Sequence, residues 1–130
     1  MTRIPGAPGP DTTRILSGWQ SQADELAMTT VIDGDAPQTG YLVIRVVGDL
    51  DVVTAPDLGA CLGDCVADPR VAVLDLRAVP FIGCSALAVI DAAGEYLAAR
   101  GKPMVVLCGR EIRRSLQVSG VDRTVTVLTV

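Results

Sequence analysis

VAVLDLRAVPFIGCSAL, residues 71–87, decides the reading of this chain. Val71 to Leu76 is a short apolar run of the kind that forms a fully buried strand. A turn through Arg77, Ala78, Val79 and Pro80 follows, then Phe81-Ile82. After Gly83-Cys84-Ser85-Ala86 the period becomes helical, with Leu87, Ile90 and Leu97 roughly on one face. A strand that runs into a helix in this way delivers the residues at the helix start to the carboxyl edge of a sheet. Open α/β sheets bind their ligands there. Ser85, a hydroxyl at that junction, is the first candidate for a functional centre.

Downstream, the helix is expected to end near Arg100-Gly101, with Gly as the stop. PMVVLC (residues 103–108) reads as another buried strand. Arg110 to Ser119 reads as a short helix capped by Gly120, and Thr124 to Val130 as a closing strand. Upstream, Thr54-Ala55-Pro56-Asp57 is a helix start: Pro is tolerated in a first turn, and Thr followed three residues later by an acid resembles a capping box. Leu58, Cys61, Leu62 and Cys65 form that helix's apolar stripe, and Asp68-Pro69 stops it. Tyr41 to Val47 (YLVIRVV) is a strong strand. Leu26 to Ile32 is an edge strand joined to it through the turn cluster Asp33 to Pro37. Residues 1–24, rich in Pro, Gly, Thr and Ser, read as a flexible leader, with Ile15, Leu16 and Trp19 available to dock on the domain.

The resulting order, β-β-α-β-α-β-α-β, predicts one α/β domain over residues 25–130. Its mixed sheet has about five strands and three main helices, the later strands parallel and the crossovers right-handed.

Composition narrows the chemistry. The chain has 130 residues, a net charge of −4 and only 3% aromatic residues, so its core must be built from Val, Leu, Ile and Ala. There is no histidine, which excludes histidine acid–base catalysis, Ser-His-Asp triads and His-based metal sites. The negative charge argues against direct nucleic-acid binding, and no apolar run is long enough to span a membrane. The N-terminal stretch lacks a signal-peptide core, which predicts a cytoplasmic protein with reduced thiols. The four cysteines make no paired CxxC spacing, and neither a metal nor a cofactor is expected. A nucleotide-binding enzyme is disfavoured because no Gly-rich phosphate loop is present.

Two loops should converge at the carboxyl edge: Asp49 to Thr54, and Phe81 to Ser85. Cys84, a thiol at a helix N-terminus, and Cys108, at the end of the next strand, form a candidate redox pair. Cys61 and Cys65 read as core; their Cβ spacing of about 5–6 Å on a helix exceeds that of a disulfide. Asp75, inside an apolar strand, needs a partner. Asp91 and Glu95 read as a solvated pair on one helix.

GDLDVVTAPDL (residues 48–58) resembles the G-x-L-D-x-x-x-A-x-x-L signature of STAS domains, the fold of bacterial anti-sigma factor antagonists. LDLRAVPFIGCSALAVI resembles that family's second signature, a strand leading to a D-S-S/T-G-L helix start. IRRSLQVSGVDRTVTV resembles its last helix and strand. The resemblance covers about residues 27–130. It implies a binding switch rather than an enzyme. The unphosphorylated protein would capture an anti-sigma factor of the histidine-kinase-like ATPase type, freeing a sigma factor, and phosphorylation of a serine at the helix start would break the complex. Carried over by position, that serine is Ser85 and the loop acid is Asp51. Thr54, Gly83, Cys84, Ala86 and Leu87 complete the expected partner-binding set. The sequence departs from the pattern at Gly83 (Asp in the family), Cys84 (Ser) and Ala86 (Gly). Loss of that Asp removes a charge and a hydrogen-bond acceptor beside the hydroxyl. Redox control through Cys84 and Cys108 is the other mode of control that the residues suggest. An accessory subunit of a membrane transport system is the alternative role for a STAS-like chain.

Overall fold

The computed structural model describes residues 13–20, 27–33 and 41–130, the first two spans as backbone only. Six strands lie side by side in chain order: β1 (Thr13–Gln20), β2 (Ala27–Asp33), β3 (Tyr41–Val47), β4 (Val71–Ala78), β5 (Met104–Cys108) and β6 (Thr126–Thr129). Helices α1 (Ala55–Cys65), α2 (Cys84–Ala98) and α3 (Arg110–Ser119) connect β3 through β6, and a 3-10 turn, Val121–Arg123, precedes β6. The β1–β2 and β2–β3 pairs are antiparallel; β3–β4, β4–β5 and β5–β6 are parallel.

Each parallel crossover steps sideways in the same direction, so the common crossover hand puts all three helices on one face of the sheet. The core agrees. Leu42, Ile44 and Val46 of β3, Ala72, Leu74 and Leu76 of β4, and Met104, Val106 and Cys108 of β5 form one cluster with residues of every helix. These include Leu58 and Leu62 of α1, Ile90 and Leu97 of α2, and Ile112 and Leu116 of α3. The alternation is the period of two that a pleated strand imposes. On the opposite, helix-free face Val43 and Val73 are also buried, with Val105 and Leu107 beside them. Strands buried on both faces lose their polar alternation, which is why β4 reads as a continuous apolar run.

Three differences from the sequence expectation have physical causes. First, Thr13–Gln20, assigned to the leader, is a strand on β2, so the sheet has six strands rather than about five. Pairing there satisfies the outer edge that β2 would otherwise leave open. The remainder of the expected leader, including Pro5 to Asp11, lies outside the described residues, as do residues 34–37 of the expected turn. Second, β4 continues through Arg77 to Ala78, because a register shift lets Ala78 pair with Val47; the chain turns only where Val79 N–H donates to the Leu76 carbonyl. Third, Asp91 is not merely solvated. Its Oδ1 accepts the Thr124 hydroxyl at 2.8 Å and ties α2 to the approach to β6.

Helix ends follow expectation. Gly120 stops α3 with φ +85°, a left-handed conformation that favours glycine. Asp68-Pro69 ends the α1 connection, where Arg70 folds its guanidinium back onto the Asp68 carboxylate.

Candidate functional site

The two loops expected to converge are joined by the backbone. Leu50 N–H donates to the Phe81 carbonyl at 2.9 Å, and Gly83 N–H donates to the Leu50 carbonyl at 2.7 Å. This is a parallel bridge between Leu50 and Ile82, an extension of the β3–β4 pairing beyond the strands. Both side chains are buried and anchor it in the core. The link fixes the Asp51 turn beside the start of α2.

Asp51 is held by a reciprocal set of short bonds. Its Oδ1 accepts the N–H groups of Val53 and Thr54, both at 3.0 Å. Thr54 Oγ1 in turn accepts Asp51 N–H at 3.0 Å and donates to the Asp49 carbonyl at 2.9 Å. The Thr54 N–H is the main influence holding the Asp51 carboxyl below its usual range; desolvation opposes this, and the Thr54 hydroxyl and Val53 N–H reinforce it. Thr54 is fully buried, and here the structure corrects the sequence reading. Thr54 sits at the N-cap position of α1, but its side chain makes no cap bond there. It closes the Asp51 turn instead. That turn thrusts Val52 (72% exposed) and Val53 (59% exposed) into solvent.

Helix α2 begins at Cys84 with Gly83 as N-cap, in extended backbone (φ −100°, ψ 176°) and with no side-chain cap. Ser85 is therefore not the N-cap that would give it a purely structural role. It lies inside the first turn, exposed, and its hydroxyl has no hydrogen-bond partner among the described residues. The N–H groups of that first turn have no partner within the helix and, with the helix dipole, favour an anion. Ala86 is buried within regular helix, so the glycine of the family pattern is not needed for backbone freedom. A Cβ at Gly83 would meet the Phe81 ring at an ordinary 3.4 Å, so backbone geometry does not dictate glycine there either.

At about 100° per residue, Cys84 and Ser85 point to different sides of α2. Cys84, with Leu87, faces α3 across a groove of about 690 Å³ that is also lined by Phe81, Arg114 and Val118. Phe81 and Val118 are 53% and 82% exposed. Sequence reading missed this groove. Its signal was present as apolar residues off the core stripe, Val118 on α3 and Phe81 before α2.

The other candidates separate clearly. Cys84 is exposed, whereas Cys108 is buried at the end of β5, and the two are not bridged. Burial pushes the Cys108 thiol up, with Arg113 opposing, which lowers the thiolate fraction that exchange requires. Cys61 and Cys65 are buried in the core stripe of α1, as expected. Among the described residues no group of three His, Cys, Asp or Glu side chains could hold a metal ion, and no helix is long and apolar enough to cross a membrane. Asp75 finds its partners in Arg77, whose Nε and Nη2 donate to it at 2.9 and 2.8 Å, and in Arg45 at 3.6 Å.

With this geometry in hand, comparison with known proteins is specific. The family model described as the STAS domain matches residues 28–130. The anti-sigma-F factor antagonist RsfB of Mycobacterium tuberculosis, in strains CDC 1551 / Oshkosh and H37Rv, is 36% identical over 90 residues, which is 68% of this chain and 74% of that protein. The crystal structure of an anti-sigma factor antagonist from Mycobacterium paratuberculosis superposes with a TM-score of 0.67 at 31% identity, covering 85% of this chain and 91% of the other. SpoIIAA in its unphosphorylated form shares the fold, with a TM-score of 0.59 at 17% identity over 77% of this chain and 88% of the other. Fold, loop convergence and family match coincide, and the chain belongs to the STAS domain family.

Proposed function

We propose that this protein is an anti-sigma factor antagonist. It binds a kinase-type anti-sigma factor through the carboxyl edge of its sheet and thereby releases a sigma factor for transcription. The observation that carries this is the exposed, uncapped start of α2 at Cys84 and Ser85, held beside the Asp51 turn by the Leu50–Ile82 bridge. The mycobacterial relatives are named as antagonists in sigma-factor pathways rather than as transporter subunits. On this account the protein is a cytoplasmic binding regulator and not an enzyme. Asp51, Gly83, Cys84, Ser85 and the groove-lining edge of Leu87 contribute to the partner surface, and the buried Thr54 and Ala86 support it from beneath.

Control acts at Ser85. Its hydroxyl is exposed and makes no bond to the other described residues, so a kinase can reach it without unfolding the helix. A phosphate placed there adds roughly −1.5 to −2 charge. The first-turn amides accommodate that charge in the free protein. In a complementary interface the same charge is desolvated or repelled, so binding is lost while the fold is kept. A Bacillus protein of this fold has been solved in both unphosphorylated and phosphorylated forms. Gly83 supplies no carboxylate beside Ser85, so phosphoryl transfer here relies on the partner's own groups to orient the hydroxyl.

The test is incubation with the kinase-type anti-sigma factor that the chain binds, in the presence of Mg-ATP, followed by intact mass measurement. One added phosphate, abolished by Ser85→Ala, is expected. An unchanged mass alongside tight binding would remove phosphorylation and leave the binding role. Absence of binding to every anti-sigma factor of the source genome would remove both.

A further inference from the structure

A second charged feature lies on the helix-free face, at the carboxyl ends of β3 and β4. Arg45, Asp75 and Arg77 meet around a recess of about 330 Å³, whose remaining walls are Val46, Val47 and Ala78. Asp75, only 5% exposed, takes the Nε–Nη2 fork of Arg77. Arg45 Nε stands 3.6 Å from the same carboxylate. Among the described residues one carboxylate faces two guanidinium groups, a surplus of one positive charge. The Nη1 of Arg77 and both Nη atoms of Arg45 donate no hydrogen bond to the described residues. The register shift between β3 and β4 falls at this point, with Arg45 opposite Asp75 but Val47 opposite Ala78. Such bulges re-aim side chains beside functional sites.

The Arg77 fork by itself balances the charge of Asp75, so Arg45, the more distant partner, adds a cation beyond that balance. We infer that the recess binds a small oxyanion, a carboxylate or a phosphate ester, on Arg45 and the free edge of Arg77, with its apolar part against Val47 and Ala78. Guanidinium donors suit both headgroups because their planar fork matches two oxygens. The volume is at the small end for ligand pockets, which points to a compact molecule. From this recess β3 runs directly into Leu50-Asp51 and β4 into Phe81-Ile82-Gly83. A ligand here therefore presses on the roots of both loops of the partner face from behind, as an effector would.

The test is an amide-resolved NMR titration of the full chain with inorganic phosphate, acetate and phenyl phosphate. Saturable shifts centred on Arg45, Val47, Arg77 and Ala78 are expected, with phenyl phosphate binding more tightly than inorganic phosphate because it uses the apolar walls. Preference for acetate over phosphate assigns the ligand to the carboxylates, and the reverse assigns it to phosphate esters. Arg45→Ala keeps the Asp75–Arg77 fork and should weaken binding about tenfold through loss of charged donors. Asp75→Asn should strengthen it by removing the opposing charge, and if that variant does not fold, Arg45→Glu should abolish binding. Absence of saturation at tens of millimolar, or equal affinity in wild type and Arg45→Ala, overturns the inference and leaves the triad as a structural ion cluster.

Discussion

Gly94→Ala inverts the ordinary rule for a helix glycine. Gly94 is buried in the middle of α2, where alanine is normally favoured by about 1 kcal/mol. A Cβ at this position would stand 2.7 Å from Val125 Cγ1, 2.9 Å from the Thr124 carbonyl oxygen and 3.0 Å from Thr124 Oγ1. The carbonyl belongs to the backbone and the hydroxyl is anchored on Asp91, so neither moves freely. Overpacking of this kind costs roughly 1–3 kcal/mol, and shifting Thr124 off Asp91 costs about 1 kcal/mol more. Set against the propensity gain, Gly94→Ala should destabilise by ~1–3 kcal/mol. Gly63, exposed on α1, is the control, because a Cβ there would meet no heavy atom within 4 Å. Gly63→Ala should stabilise by about 0.5–1 kcal/mol. Equilibrium urea unfolding followed by circular dichroism reads both. The opposite signs are the result to look for. A Gly94→Ala variant as stable as Gly63→Ala would refute the close approach of α2 to β6, and with it the packing that orients the α2 start.

Thr54→Val should cost about 1–2 kcal/mol, because Asp51 N–H and the Asp49 carbonyl lose their bonds to a buried hydroxyl; a cost near zero in urea unfolding would contradict the closed turn. Stability should fall on acidification below about pH 4, the usual carboxylate range. Burial acts to raise the Asp75 pKa, but the Arg77 fork, the Arg77 N–H and the charges of Arg77 and Arg45 outweigh it, so the folded value is lowered. A lowered folded value means that stability is fully present above the unfolded pKa and is lost as pH falls through the folded one. Asp75→Asn should flatten that part of the pH profile, and a profile unchanged by the substitution would show the ion cluster to be inert. In the native protein Cys84 should react with an aromatic disulfide reagent well before the other three thiols, which are buried; simultaneous reaction of all four would be inconsistent with this core.

The strand-to-helix unit at residues 71–87 was legible because its hydrophobic period changes within a few residues, and the three crossovers followed from similar switches at Thr54 and Gly109. The site's location was legible for the same reason: topology alone brings Asp51 and Ser85 to one edge. What escaped the sequence was tertiary. Thr54 has the spacing of a helix cap, but Asp51 offers its hydroxyl a better set of partners, and the local signal cannot rank the two. Asp75 announced a need for a partner, and Arg77 and Arg45 share its strand face, yet only the β3–β4 register brings Arg45 across to it. Thr13–Gln20 lacks the apolar run that marked the inner strands, so its pairing depends on β2 offering an edge.

The central claim is tested most directly by competition. A complex of the cognate sigma factor with its kinase-type anti-sigma factor is titrated with the unmodified protein, and sigma release is followed by fluorescence anisotropy. Stoichiometric release by the wild-type chain, abolished by Ser85→Glu with the fold intact by circular dichroism, is the predicted result. Failure of the wild-type chain to displace the sigma factor, or equal displacement by wild type and Ser85→Glu, would contradict a switch located at the start of α2.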